Sequence, residues 1–413
     1  MVKEFVVQEK EMLKETLKRL NRAFRKRFPR FMEKWAYSNI PKAVVNINRD
    51  YTSHGQKRVL ISYLSYLNAE IHTVGHPCWF HYFQIIHYFV NKGYCVDLCP
   101  CNDIESAGIL SGFEYDIVIG FGEVFKKIVK SHSIPIRILF LTENNPVVVE
   151  EKYKERLNDF KRRHPHVKVQ CDVKRDDCFD EEQLLLANYV IQMNSVYNSQ
   201  SLSPYFDRVY LINSNAILNP DYVFDEKKVM DCIDEARNRF LWFGSDGFIH
   251  KGVDLLLDAM KMLPEVQLDL YGISKSEVPL FNALKSPNTH YCGRVNVQSE
   301  AFIDQVVYSH NFMVFPSCSE GMSTSVATCM AHGIIPIVSK ETGFDPNPYI
   351  TVLEDVSVEN IVMAMKEAAC LSTEEIVKRR RGVYEYARKN HSIEYFTASF
   401  NEIMESILEV DHI

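Results

Sequence analysis

Segment 312–338 constrains the fold more than any other part of this 413-residue chain. It begins with a short apolar run that Pro316 ends, as expected of a buried parallel strand. A small polar loop follows, in which Ser323 or Thr324 is suited to begin a helix, and Gly333 is suited to end it. A second apolar run closes the segment. The pattern therefore predicts a strand–loop–helix–strand unit of a parallel α/β sheet.

The polar loop of this segment is a candidate ligand site. Loops at the carboxyl ends of parallel strands, followed by a helix N-terminus, are where α/β sheets bind anions. Here they carry one carboxylate, Glu320, and three hydroxyls, those of Ser323, Thr324 and Ser325. Because a carboxylate is unfavourable beside an anion, Glu320 is expected to contact neutral groups such as sugar hydroxyls. Small polar residues are also what any strand–helix connection needs, so alone they fit a purely structural role better than a binding role.

The whole string resembles the donor-binding motif of retaining GT-B glycosyltransferases of family four. That pattern is Pro-Ser, then Glu-Gly-aromatic-Gly, a second Glu eight residues after the first, and Ala-Met-Ala-x-Gly-x-Pro-Val. The matching residues are Pro316, Ser317, Glu320, Gly321, Met330, Ala331, His332, Gly333, Pro336, Ile337 and Val338. Two positions depart from it, since Ser323 replaces the motif Gly and Thr328 replaces the second Glu. The departures predict an altered nucleotide site.

A second segment, from residue 240 to 256, reads as a strand, a Gly-containing loop, a lysine and a helix. An ammonium beside a helix N-terminus is suited to pair with a phosphate, although the spacing alone fits a solvated loop lysine better. Members of the resembled family carry Gly-Arg, several residues and then Lys-Gly, and their Arg and Lys hold the donor diphosphate. Gly244 and Lys251-Gly252 match, whereas Ser245 stands at the Arg position.

The resemblance assigns roles to both segments. Lys251 and the predicted helix N-terminus are expected to stabilise the leaving diphosphate, and Glu320 to orient the donor sugar rather than to act as a nucleophile. His250 or Arg294 is the candidate for the charge that Ser245 lacks. The predicted donor-binding residues are Gly244, Ser245, His250, Lys251, Arg294, Glu320, Gly321, Met322, Ser323, Thr324, Ser325 and Thr328.

Two further loops are candidate sites on the acceptor side. The loop after the strand at residues 58–63 contains His72 and His76, and His76, beside a Gly and ahead of a helix, is the better catalytic candidate. A loop histidine is as often merely solvated. Glu143 and Asn144 follow another predicted strand and are weaker candidates for acceptor contacts.

The order of strands and helices predicts an α/β fold of the GT-B class, with two Rossmann-like domains facing a central cleft. Predicted boundaries are 51–215 for the acceptor-side domain, completed by a terminal helix at 392–413, and 216–391 for the donor domain. Residues 150–164 are predicted to form a charged, exposed helix. Residues 1–50 are predicted to form a basic amphipathic helical extension and a connector.

Within the extension, residues 9–35 place apolar side chains at three- and four-residue steps, with Lys and Arg between them. Such a basic amphipathic helix either packs on the catalytic body or lies on an anionic membrane surface. Elsewhere no apolar run is long enough to span a bilayer, and no signal peptide is evident. The chain is therefore expected to be cytoplasmic, either free or peripheral on the inner face of a membrane.

Composition excludes several other classes of protein. A net charge of −7 argues against general nucleic-acid binding. The 11 cysteines have no zinc spacing and are expected to be reduced thiols. No metal motif lies in a suitable loop, and no cofactor is expected, because the nucleotide-sugar is a substrate.

The predicted function is glycosyl transfer of a hexosyl or N-acetylhexosaminyl group to a glycan, lipid-linked or protein acceptor. It is expected to be retaining and metal-independent. Two alternatives stay open, because two donor-site positions are changed. One is a catalytically silent GT-B subunit that binds a partner enzyme or glycan, and the other is a sugar-nucleotide epimerase.

Overall fold

The structure is a computed structural model that describes residues 43–48, 56–64, 77–169 and 178–410. The described residues form two compact units. The first unit contains those up to Ile138 apart from Pro77, and the second contains Pro77 and those from Leu139 onwards. The predicted helix at 9–35 and the candidate His76 lie outside the described residues.

The described residues form two sheets of parallel strands with helices between the strands. The strands are β1 (Arg58–Tyr63), β2 (Cys95–Pro100), β3 (Ile117–Gly120), β4 (Ile136–Leu141), β5 (Tyr189–Gln192), β6 (Val209–Leu211), β7 (Arg239–Phe243), β8 (Gln267–Tyr271), β9 (Thr289–Gly293), β10 (Phe312–Phe315), β11 (Ile335–Val338) and β12 (Thr351–Val352).

The helices alternate with these strands and follow them at the C-terminal end. They are α1 (Cys78–Asn91), α2 (Ile104–Leu110), α3 (Gly122–Ser131), α4 (Pro146–Arg163), α5 (Glu181–Leu186), α6 (Val196–Ser199), α7 (Glu226–Cys232), α8 (Val253–Lys261), α9 (Val278–Leu284), α10 (Glu300–Phe302), α11 (Thr324–Met330), α12 (Val358–Ala369), α13 (Thr373–Asn390) and α14 (Ile393–Val410).

The first sheet has the strand order β2-β1-β3-β4-β5-β6. Its strands are buried almost along their whole length, because helices cover a parallel sheet on both faces. Helix α14 packs on β4 through Phe400, whose ring centroid lies 6.2 Å from that of Phe140. The predicted domain boundaries at residues 215 and 391 stay predictions.

The second sheet has the order β12-β11-β10-β7-β8-β9. The chain therefore enters at the central strand β7, continues through β8 to the edge strand β9, and then returns to β10 and continues to the other edge at β12. This is the doubly wound Rossmann order, and its switch point lies between β7 and β10. Stacked rings join these strands, with Phe240 against Phe312 at 5.5 Å and Trp242 against Phe315 at 5.9 Å. Ligands of such sheets bind beyond the carboxyl ends of the strands at the switch point.

The predicted α/β class with two Rossmann-like sheets is confirmed. The unit at 312–338 has the predicted order, with β10, α11 and β11, and Gly333 ends α11 at a φ of +77°. The predicted charged helix at 150–164 is present, but it is not exposed on every side. Helix α4 begins at Pro146, and it buries Arg156 and Phe160 against its surroundings.

Two buried histidines make the stability of the fold depend on pH. The ring of His332 lies between the Thr328 carbonyl (2.7 Å) and the Asn219 N–H (3.1 Å), and that of His391 donates to the Ser214 carbonyl at 3.0 Å. Burial, which disfavours the imidazolium, lowers the pKa of each ring to about 4 from its ordinary value of 6.5. The unfolded chain therefore binds more protons than the folded chain between these two values.

Stability should accordingly be complete above about pH 7.5 and fall as the pH drops through 6.5 towards 4, by about 2 kcal/mol per histidine at pH 5. Urea denaturation of the wild type and of His332→Gln at pH 7.5 and pH 5 measures the effect. The variant should lose about half of the pH-dependent change. An equal loss in both proteins would contradict the assignment to His332.

Candidate functional site

The two predicted site segments meet at the switch point of the second sheet. Segment 244–252 follows β7, and segment 316–325 follows β10, and the two strands pair in parallel. The loops are also joined directly. The carbonyl oxygen of His250 accepts a hydrogen bond from the Cys318 N–H at 2.9 Å and lies 3.2 Å from the Ser317 hydroxyl. The sheet order thus brings together residues about 70 positions apart in the sequence, at the place where doubly wound sheets bind ligands.

The structure requires a glycine at position 252, directly after Lys251, for two reasons. Its φ of +71° lies in the left-handed region, where a side chain is strained. A Cβ atom there would also lie 2.4 Å from the carbonyl oxygen of Pro316. Only glycine therefore allows the first loop to approach the second this closely, and α8 begins at the next residue.

Lys251 is held rather than solvated. Its side chain is buried, with the residue 9% exposed, and Nζ donates to the Ser245 hydroxyl at 2.8 Å. Its N–H donates to the Gly247 carbonyl at 2.7 Å. Ser245, at the position of the family's arginine, therefore orients the one cation that this loop carries.

Glu277 is a residue of this site that the sequence reasoning missed. One oxygen of its buried carboxylate accepts hydrogen bonds from the N–H groups of Gly247 and Phe248, each at 2.8 Å. The other accepts from the N–H and the hydroxyl of Ser274, at 3.1 and 2.8 Å. These four hydrogen bonds offset the cost of burying the carboxylate. The carboxylate in turn fixes the loop that carries Lys251.

Glu277→Ala should loosen this loop, because it leaves buried N–H groups of Gly247 and Phe248 without their acceptor. We expect a loss of about 2–4 kcal/mol of unfolding free energy. Urea denaturation measures it, with Glu300→Ala as control, since Glu300 is an exposed residue in α10. Added acetate, which can occupy the vacated carboxylate position, should recover part of the loss in Glu277→Ala and none in the control. A loss below about 0.5 kcal/mol, the range of neutral surface changes, would contradict the role.

Glu320 is fixed at its backbone and at its side chain. Its N–H donates to the Glu341 carbonyl at 3.0 Å, and its carbonyl accepts from the Asn194 amide at 3.2 Å. The carboxylate belongs to a residue only 4% exposed, and Oε1 accepts from the Ser317 hydroxyl at 2.9 Å. This carboxylate is therefore pre-organised before any ligand binds.

The loops that follow β4 and β5 border the same motif. A Cβ atom at Gly321 would lie 2.1 Å from the Thr142 carbonyl oxygen, so a glycine is required for this approach. The amide of Asn144, which is buried, donates to the Ser319 hydroxyl at 3.3 Å. Glu143 is half-buried beside Asn144. The two weak acceptor-side candidates thus adjoin the Glu320 loop.

The beginning of α11 offers backbone and hydroxyl donors. Ser323 occupies the N-cap position, but its hydroxyl contacts that of Ser325 at 3.1 Å and does not cap the helix. Met322 accepts from the Ser214 N–H at 3.3 Å through its sulfur, and Thr324 contacts the Ser214 hydroxyl at 3.4 Å. The first turn of α11 is thus held against the segment that follows β6.

Thr328, which aligns with the second glutamate of the resembled motif, contacts the backbone of this chain. The residue is 1% exposed, and its hydroxyl accepts the N–H of Ile217 at 3.0 Å. The same segment is held again where the Asn219 N–H donates to His332. The Thr328 hydroxyl therefore binds the chain's own backbone, and a ribose contact is not needed to explain its burial.

Neither candidate for the missing arginine charge lies free beside Lys251. The ring nitrogens of His250 face Ser319 and Cys318, and the exposed Arg294 lies 3.6 Å from Asp246. A third cation, Arg156 of α4, donates twice to the Pro316 carbonyl at 3.3 Å. Arg156 was missed because its helix reads as exposed.

Helix α4 is also tied to α8, the helix that begins after Gly252. Arg163 forms ion pairs with Asp254 and Asp258. Burial raises the pKa of Asp254 above its ordinary value, in spite of the lowering by Arg156 and Arg163. The first loop is therefore braced from α4 as well as from the second loop.

Groups of three or more His, Cys, Asp or Glu side chains that could hold a metal ion are not found in the part of the chain that the structure describes. Over the same ranges, no helix is long and apolar enough to cross a membrane.

Solved structures with the same fold include three that span almost this whole chain. HepE of Anabaena, solved with UDP and glucose, aligns with a TM-score of 0.54 and 11% identity over 85% of this chain and 100% of that one. Sucrose-phosphate synthase from Thermosynechococcus elongatus aligns with a TM-score of 0.57 and 13% identity over 86% of this chain and 100% of that one. A glycosyltransferase from Rickettsia africae aligns with a TM-score of 0.54 and 13% identity over 86% of this chain and 99% of that one.

These structures are similar to this chain in fold, which is the GT-B fold. Among curated proteins, sequence comparison finds no match. Residues 237–368 match the family model described as glycosyl transferases group 1, and this range contains both loops of the site. This region is thus similar to the group 1 glycosyl transferases, and the similarity supports glycosyl transfer as the class of reaction.

Proposed function

We propose that the chain is a retaining, metal-independent glycosyltransferase that moves a hexosyl or N-acetylhexosaminyl group from a nucleotide-sugar to a glycan, lipid-linked or protein acceptor. One observation carries the proposal. Lys251 and Glu320 stand on two loops that are hydrogen-bonded to each other at the switch point of the second sheet. One loop offers a cation for a diphosphate, and the other offers a carboxylate for sugar hydroxyls.

In this proposal, catalysis is mostly electrostatic. The Lys251 ammonium, held by Ser245, and the N–H groups of the first turn of α11 stabilise the charge that develops on the leaving diphosphate. Both groups are in place before the donor binds, so little reorganisation is needed when the bond to the sugar breaks.

Glu320 orients the donor sugar in this scheme. Its carboxylate accepts hydrogen bonds from sugar hydroxyls, which charge makes stronger than bonds between neutral groups. The acceptor hydroxyl attacks the anomeric carbon on the face that the leaving group vacates, and its proton passes to a phosphate oxygen of the departing diphosphate. The acceptor-side roles of His76, Glu143 and Asn144, and the membrane contact of residues 9–35, belong to the proposal as well.

UDP-sugars are the first donors to test, because HepE was solved with UDP and glucose. A silent GT-B subunit is the second candidate function. Two observations favour it, namely Ser245 at the arginine position and the Thr328 hydroxyl bonded to Ile217.

A panel of UDP-, GDP- and ADP-sugars separates the candidates. Slow release of the nucleoside diphosphate with the free sugar, unchanged by EDTA, supports the transferase. Interconversion of sugars without release supports an epimerase, and absence of both binding and turnover supports the silent subunit. The anomeric configuration of the first product, read by NMR, tests retention.

A further inference from the structure

We propose that His250 is a positioning residue that holds the loop of Glu320 in its productive shape, and that it is not a contact of the donor phosphates. The proposal rests on the function proposed above. It changes the role of His250, which the sequence alone places among the donor-binding residues.

The imidazole ring of His250 lies against the loop that follows β10. Its Nε2 lies 2.5 Å from the Ser319 carbonyl oxygen, and only an N–H can donate to a carbonyl, so Nε2 carries a proton. Its Nδ1 lies 3.6 Å from Sγ of Cys318. Both ring nitrogens thus face protein atoms rather than the space above the loop.

The backbone of His250 holds the same loop a second time. Its carbonyl oxygen accepts from the Cys318 N–H at 2.9 Å and lies 3.2 Å from the Ser317 hydroxyl. The residue is 5% exposed, and the ring of Tyr153 in α4 lies 6.1 Å from its own. Main chain and side chain of one residue therefore grip three consecutive positions, 317–319, directly before Glu320.

The carboxylate of Glu320 depends on this grip in two ways. Oε1 lies 3.8 Å from Nε2 of His250, so the ring also lies directly beside the carboxylate. Oε1 also accepts from the Ser317 hydroxyl, whose position the His250 loop sets. A shift of about 1 Å in a positioning group can cost about 100-fold in rate. Loss of the imidazole should therefore act on catalysis through Glu320 and leave nucleotide binding intact.

The test compares His250→Ala and His250→Gln with the wild type, and uses His166→Ala, at an exposed position beyond α4, as control. Donor hydrolysis gives kcat and KM, and calorimetry gives the Kd of UDP. We expect His250→Ala to lower kcat about 100-fold, with KM and the Kd of UDP changed less than about 3-fold. His250→Gln, whose amide can donate to Ser319, should regain most of the rate. A Kd of UDP weakened more than about 10-fold would overturn the proposal, because it would make His250 a donor contact.

A second measurement does not depend on turnover. Urea denaturation of His250→Ala, Glu320→Ala and the double variant forms a cycle. We expect the midpoint of the double variant to drop by clearly less than the two single drops combined, since each change removes the other's partner. Additive drops would overturn the positioning role. If the wild type hydrolyses no nucleotide-sugar, the proposed function fails, while a non-additive cycle still upholds the contact.

Discussion

Lys251→Met should lower kcat/KM for the nucleotide-sugar about 1,000-fold, which corresponds to about 4 kcal/mol of lost transition-state stabilisation. Methionine keeps the apolar stem that the site buries but removes the charge that Ser245 orients. Pre-organised charges at a leaving group act most strongly in a water-excluded site, and removal of a single oxyanion donor elsewhere costs about 100- to 1,000-fold. Steady-state kinetics measure the change, and circular dichroism verifies the fold.

Lys261→Met is the matched control for this substitution, because Lys261 lies at the far end of α8 and pairs with Asp258 near the surface. Its rate should stay within about 2-fold of the wild type, as expected of an exposed ion pair. If Lys251→Met retained more than about a tenth of the activity, the phosphate role of Lys251 would be wrong.

Glu320→Gln should lower kcat about 100-fold and leave the affinity for UDP unchanged. Glutamine has almost the same shape, so the loop keeps its bonds to Asn194 and Glu341 through the backbone. What is lost is the charge that strengthens hydrogen bonds to the sugar hydroxyls. Glu320→Ala should abolish measurable transfer, since it removes both oxygen atoms.

The measurement for Glu320 pairs single-turnover kinetics with calorimetry on the same samples. Glu341→Gln is a suitable control, because Glu341 contacts the loop through its backbone carbonyl. An unchanged kcat in Glu320→Gln would exclude an electrostatic role for the carboxylate. A weakened Kd of UDP would instead place the carboxylate at the nucleotide.

Much of the fold is readable from the sequence because parallel sheets have strong local signals. The run at Phe312–Phe315, the helix that begins at Thr324 and the glycine at 333 coincide with the structure. Short helices such as α5 and α7 lack a long apolar period, so they were not predicted. The burial of Arg156 in α4 also could not be predicted locally. This charged side chain donates to the Pro316 carbonyl, which lies far away in the sequence.

Only part of the candidate site could be predicted from the sequence. Lys251 and Glu320 belong to recognisable strings, but the partners that orient them lie far away in the sequence. Glu277 resembles any charged residue ahead of a short helix, and only tertiary structure places it beneath Gly247 and Phe248. Likewise, nothing local to Thr328 indicates that its hydroxyl binds the N–H of Ile217.

The proposed function requires that the loops after β7 and β10 form a nucleotide-sugar donor site. Calorimetric titration of UDP into the wild type and Lys251→Met tests it most directly. We expect the wild type to bind one UDP per chain and the variant to bind UDP at least about 10-fold more weakly, a difference of about 1.4 kcal/mol. No binding to the wild type, or equal binding to both proteins, would contradict it.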